Sequence, residues 1–137
     1  MKALVLAIFL LLPHIVIAQS PFPAAKREIA SLFTVLEQSG CTFNRNGYWY
    51  GARKATAHLR RKYDYLLKKN LVASAESFID RAASKSSISG KPYMVRCGTK
   101  APVESKAWFT TELIRLRRAT SVGANDSFKP KLLRGSA

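Results

Sequence analysis

An unbroken apolar run, Ala3–Leu12, follows Lys2 and precedes Val16-Ile17-Ala18, and this opening sets the terms on which the rest of the chain folds. A positive start, an apolar middle and a small-residue end form the layout of a secretory signal peptide, with cleavage expected before Gln19. The run is short for a bilayer span, and Pro13 and His14 interrupt it. No lipobox cysteine stands at the junction, so a lipid anchor is not expected. The expectation is Sec-type export to the periplasm or beyond, with no transmembrane segment after cleavage. An exported chain folds under oxidising conditions, and its two cysteines, Cys41 and Cys97, are expected to form one disulfide. The loop so closed holds 57 residues. Its closure is worth about 4 kcal/mol on chain-entropy grounds.

Cleavage would leave the 119 residues Gln19–Ala137, enough for one domain. Without Lys2 there remain 22 basic and 8 acidic residues, a formal charge of +14. Such a balance attracts anionic partners: nucleic acid, anionic lipid, lipopolysaccharide or acidic polysaccharide. The chain is expected to be a monomer.

Apolar spacing organises the rest. Ile29, Leu32, Phe33 and Leu36 recur at helical intervals over Ala24–Gln38, and Ser39-Gly40 ends that helix. Cys41-Thr42-Phe43 reads as a short strand running into the turn Asn44-Arg45-Asn46-Gly47. The longest helix is predicted over Gly51–Lys69, with Ala52, Ala55, Leu59, Tyr63 and Leu66 on one face. Ser74 caps a shorter helix, Ala75–Lys85, with Phe78, Ile79, Ala82 and Ala83 inward. Tyr93–Cys97 reads as a second strand, and Ser105 opens a last helix through Arg118. Beyond Ala119 periodicity fades, so residues 119–137 are expected to be a basic disordered tail. The disulfide would pin the two strands side by side. The fold class expected is α+β and mostly helical: three to four helices on a two- or three-stranded sheet.

Four strings carry a resemblance. They are Phe43-Asn44-Arg45-Asn46-Gly47, Ala55-Thr56-Ala57-His58-Leu59-Arg60-Arg61-Lys62, Ala75-Glu76-Ser77-Phe78-Ile79-Asp80, and Ser84-Lys85-Ser86-Ser87-Ile88-Ser89-Gly90-Lys91-Pro92-Tyr93. In this order and spacing they resemble the YfeK-like family of small exported bacterial proteins, a domain of unknown function, over about Cys41 to Arg118. At position 44 this chain has Asn where an aliphatic residue is usual. The resemblance implies an exported, mostly helical α+β domain spanning residues 19–118. It implies no catalytic residues.

The candidate chemistry is sparse. His58 is the one histidine left after cleavage, because His14 lies in the leader. Lys54 and Lys62, one turn to either side, disfavour imidazolium and suit a neutral, hydrogen-bonding ring. With the cysteines paired, one histidine and scattered carboxylates make no recognisable zinc or iron site, and no cofactor is implied. Ser86-Ser87-Ile88-Ser89-Gly90-Lys91 lacks the P-loop spacing, and Pro92 follows the lysine where Ser or Thr belongs. The Ser-x-x-Lys pattern fails as well, since Ala82 and Ile88 stand three residues before Lys85 and Lys91. What survives is a hydroxyl-rich turn whose groups satisfy helix carbonyls or hold an anion or glycan. The long helix carries seven cations against Asp64 alone, with Tyr48, Trp49 and Tyr50 just ahead of it, an arrangement that suits stacking on bases or sugars. Asp80 is expected to find a cation, Arg45 or His58.

The binding candidates are therefore Arg45, Asn46, His58, Lys62, Ser86, Ser87, Ser89 and Lys91. No catalytic residue is assigned. The leading expectation is a non-enzymatic periplasmic protein that binds an anionic or protein partner at the envelope. Two alternatives stand beside it: an envelope hydrolase or transferase using His58 and the Ser86–Lys91 turn, and a periplasmic nucleic-acid binder.

Overall fold

Helical spacing in the first apolar segment and alternation around Phe43 both find their partners in the same core. The computed structural model describes residues 23–127. In chain order the elements are α1 (Pro23–Gln38), β1 (Thr42–Arg45), β2 (Tyr48–Gly51), α2 (Ala52–Lys68), α3 (Ala75–Phe78), β3 (Met94–Arg96), β4 (Val103–Glu104) and α4 (Ser105–Ser127). A π-helical turn, Ile79–Ala83, continues α3. The expected leader, residues 1–18, lies outside the described residues.

The sheet has four antiparallel strands in the order β2-β1-β3-β4, rather than the two or three expected. The two extra strands leave no periodic trace. β2 is three aromatics and a glycine, and β4 is two exposed residues. Asn46 and Gly47 form the two-residue link between β1 and β2, both with positive φ (52° and 90°). That backbone matches the twist of paired strands, which is why Asn-Gly serves here. β1 also pairs with β3, Thr42 facing Arg96 and Phe43 facing Val95. One step further along the same register, Cys41 meets Cys97, and the two form the disulfide, with Cα atoms 4.3 Å apart. The bond extends the ladder by one covalent rung.

α2 packs on β1 and β2, α4 packs on β3 and β4, and α1 and α3 fill the space between these helices. Phe43 and Val95 are buried on the helix side of the sheet. On the other side the Arg96 guanidinium lies 4.3 Å from the Trp49 ring centroid. An edge-to-face aromatic chain, Phe33–Phe78–Phe109–Trp108–Phe43, with Tyr63 against Phe33 and Phe78, runs through the core with centroids 4.9 to 6.2 Å apart. Each such pair adds about 0.5–1.5 kcal/mol beyond the area it buries.

Two helices differ from the reading of the sequence. The segment predicted as one helix over Ala75–Lys85 begins as expected, with Ser74 and Ser77 bonded reciprocally to each other's backbone N–H. It then widens into the π-turn, and the Ser84 hydroxyl donates to the Ile79 carbonyl five residues back (2.7 Å). α4 does not stop at Arg118 but runs to Ser127, so residues 119–127 are helix and not a disordered tail. Residues 119–124 are exposed, which explains the missing apolar periodicity. A solvated helix end needs none, and Thr120 and Ser121 turn their hydroxyls back onto the carbonyls of Leu116 and Arg117. The rest of the expected tail, 128–137, lies outside the described residues.

Candidate functional site: a cationic cleft between the first hairpin and the long helix

Strand alternation decides where Arg45 goes. It lies two residues after the buried Phe43, so it faces the helical layer at the strand end nearest the turn. There its Nη1 lies 2.7 Å from His58 Nδ1 on α2, and its guanidinium lies 5.4 Å from the Tyr50 ring centroid. Nη1 is also 3.3 Å from His58 Nε2, but the shorter contact is to Nδ1. Contact with both ring nitrogens places Nη1 over the imidazole face rather than on one in-plane lone pair, so the guanidinium stacks on the ring and either nitrogen can carry the proton. Nε2 in turn lies 3.2 Å from Tyr93 Oη, within hydrogen-bond distance.

One helical turn beyond His58, the Lys62 ammonium donates to the Lys85 carbonyl (2.9 Å) and sits 5.3 Å from the Tyr93 ring centroid. Burial, reinforced by Arg45, Lys62 and Arg61, pushes the His58 pKa down to about 4. The neutral ring expected from the sequence has its main cause in desolvation. Burial and then Arg45 lower Lys62, while burial raises the Tyr93 phenol against the opposing pull of Arg45.

A second cluster joins the hairpin turn to the serine turn. Asn46 Oδ1 accepts from the Ser89 hydroxyl (2.6 Å), and Asn46 Nδ2 donates to Ser86 Oγ (3.5 Å). The buried Ser86 Oγ also accepts from the N–H groups of Ile88 and Ser89, and the Ser86 N–H donates to the Lys91 carbonyl. Ser86 and Ser89 therefore hold this turn closed. Ser87 and the Lys91 ammonium are exposed and join no hydrogen bond or ion pair among the described residues. No hydrogen bond links any of these serines to His58 among the described residues. Six of the eight candidates thus gather into two adjoining clusters on one side of the molecule. Asp80 does not join them: it pairs with Lys106 (2.7 Å) on α4, because the π-turn that carries it packs against α4.

Beside Arg45 and His58 a cleft of about 220 Å³ opens between the hairpin and α2. Its lining includes Phe43, Tyr50, Ala55 and Leu59, together with Arg45, Lys54, His58, Arg61 and Tyr93, and it contains no Asp or Glu. The sequence reading passed over Lys54 and Arg61 as site residues, although with His58 they recur at positions i, i+4 and i+7, one stripe of a helix. In the sequence Tyr93 is the end of the last family-like string and the start of a strand, with no sign of a contact to His58. Among the described residues no cluster of three or more His, Cys, Asp or Glu could hold a metal ion. No described helix is long and apolar enough to cross a membrane.

The uncharacterized protein YfeK of Salmonella typhimurium (strain LT2) is 42% identical to this chain over 64 residues, which is 47% of the chain and 52% of that relative. The chain thus spans about half the length of the curated relative it matches. No solved structure matches it. The family of unknown function DUF5329 matches residues 23–117, from the start of α1 into α4 and including every residue of the cleft. A match of that extent, with a YfeK relative sharing almost half the chain, shows that this protein belongs to the DUF5329 family as a YfeK-like domain of unknown function.

Proposed function

We propose that this protein is an exported, non-catalytic binding protein of the cell envelope whose cleft beside Arg45 receives an anionic group of its partner. The observation that carries this reading is the composition of the cleft: three cations, no carboxylate, and a half-buried guanidinium whose partner is a neutral imidazole. A partly buried guanidinium ordinarily takes a carboxylate or phosphate in bidentate fashion. Arg45 has no ion pair among the described residues and keeps donors to spare. Export is supported by the signal-peptide layout of residues 1–18 and by the Cys41–Cys97 disulfide, which suits an oxidising compartment.

The hydrolase or transferase reading gains no support from this geometry. The Arg45 guanidinium lies against both ring nitrogens of His58, and a ring with pKa about 4 is a weak base at neutral pH. Titration calorimetry with inorganic phosphate as head-group probe tests the proposal. Saturable binding by the wild type, weakened at least tenfold in Arg45→Met, is the expected result. Equal binding by both proteins refutes the cleft. The nucleic-acid alternative is tested separately: affinity for a single-stranded oligonucleotide that falls steeply and linearly in log salt, yet survives Arg45→Met, would transfer the function to the outer charges of α2.

A further inference from the structure

The two walls of the cleft differ in chemistry, and the difference narrows what it can hold. One wall is apolar: Phe43 and Leu59 are buried core residues, so that surface is fixed, and Tyr50 and Ala55 extend it. The other presents donors. Arg45 keeps free N–H groups beyond the Nη1 contact with His58, and the Tyr93 hydroxyl stands within hydrogen-bond distance of the same ring. Lys54 and Arg61 are exposed residues of the same lining. No carboxylate lines the cleft, so a cationic head would meet only like charge. From this juxtaposition we infer that the ligand is a small amphiphilic anion, a carboxylate or phosphate head on an apolar body the size of one ring or a short acyl chain.

This rests on the anion-binding reading above and adds the tail and its size. A dry cavity of about 150 Å³ accepts benzene. The roughly 220 Å³ here leaves room for a ring-sized body and a head group. A bare inorganic anion would leave the apolar wall wet, and a polymer could seat only its end. His58 is a positioning residue in this scheme: its ring contacts both the Arg45 guanidinium and the Tyr93 hydroxyl.

The test is titration calorimetry at fixed ionic strength with inorganic phosphate, a series of n-alkyl phosphates and a series of n-alkanoates. Each added methylene should tighten binding about fourfold until the cleft is full. Ala57 lines the cleft yet is exposed, so Ala57→Trp can fill the space without touching the core. That variant should lose the gain with chain length, with inorganic phosphate titrated alongside as the head-group reference. Ala57→Leu, a smaller filler, should lose part of it. Affinity independent of chain length, with phosphate binding intact, overturns the amphiphile and spares the anion site. Failure of inorganic phosphate and both alkyl series to bind overturns both. Vesicles of phosphatidic acid in phosphatidylcholine distinguish the source of the ligand once the free series shows the chain-length gain. Vesicle binding weakened by Ala57→Trp assigns the head to a membrane lipid, and binding of the free amphiphiles alone assigns a soluble molecule.

Discussion

Lowering the pH should remove stability through His58, in a window set by its environment. Its pKa is held at about 4, against an ordinary 6.5, first by burial and then by Arg45, Lys62 and Arg61. A depressed pKa means that the unfolded chain binds the proton more tightly than the folded one. The contribution of the neutral ring is therefore complete above about pH 6.5 and lost as the pH falls through about 4. At about 1.4 kcal/mol per pH unit of depression, discounted for the solvent that still reaches the ring, the loss is about 1–2 kcal/mol. Urea denaturation of wild type and His58→Gln at pH 7.5 and pH 4.5 measures it as a difference of differences. The Glu76 carboxylate, held low by its hydrogen bond to Arg117, is common to both proteins and cancels. An NMR titration is cleaner still, because His58 is the one histidine among the described residues. Arg45→Met should raise its pKa, though not to 6.5, since burial remains. A wild-type ring that titrates at 6.5 or above, or a gap between the two proteins that ignores pH, refutes the cationic, partly buried setting.

Two further outcomes follow from the fold. Replacing Cys41 and Cys97 together by Ala should cost about 4 kcal/mol in chemical denaturation without changing the far-UV spectrum, because the β1–β3 register persists without the bond. Arg117 holds Glu28 at 2.7 and 2.9 Å and Glu76 at 2.6 Å, joining α1, α3 and α4, whereas Asp80 and Lys106 are both more than half exposed. Arg117→Ala should therefore cost about 1–2 kcal/mol and Asp80→Asn less than about 1 kcal/mol, and the reverse order would show that the helix clamp is ornamental.

What the sequence made legible divides along physical lines. Helices α1 and α2 and strands β1 and β3 each bury one face, so apolar spacing announced them to within a few residues. β2, β4 and the end of α4 bury too little to leave a pattern, and each was missed or cut short for that reason. The π-turn was invisible because it depends on how Ile79, Ala82 and Ala83 fit the neighbouring helices. At the site, the residues of the family-like strings were found as candidates, but their roles were not. Asn46, Ser86 and Ser89 bond one another across about forty positions of sequence, and only the fold shows that they close a turn. Tyr93 closes the last family-like string, yet nothing in that string shows what its hydroxyl meets. Its importance arises from the contact of its hydroxyl with His58 and of its ring with Lys62, which only the fold brings together.

The distribution of acids explains why the cleft remains cationic, and it leads to a last prediction. The chain has eight acidic residues, and Glu28, Glu76, Asp80 and Glu112 are held in ion pairs with Lys106, Arg115 and Arg117 of α4. On α2 there is one acid, Asp64, and it makes no ion pair among the described residues. The helical side is thus neutralised internally while the cleft side is left for an outside anion. An anion seated beside Arg45 would offset the cations that hold His58 low, so the His58 pKa must rise on binding. Linkage then requires the reverse: binding must tighten as the pH falls from about 6.5 toward the free-protein value of about 4. An n-alkyl sulfonate is the right probe, since its own charge does not change in that window. Calorimetry should show proton uptake on binding near pH 5 and none near pH 8, with affinity rising severalfold between pH 7 and pH 5. His58→Gln should bind at pH 7 and lose the pH dependence. Proton release on binding, or a pH dependence that survives in His58→Gln, would place the anion away from the Arg45–His58–Tyr93 chain.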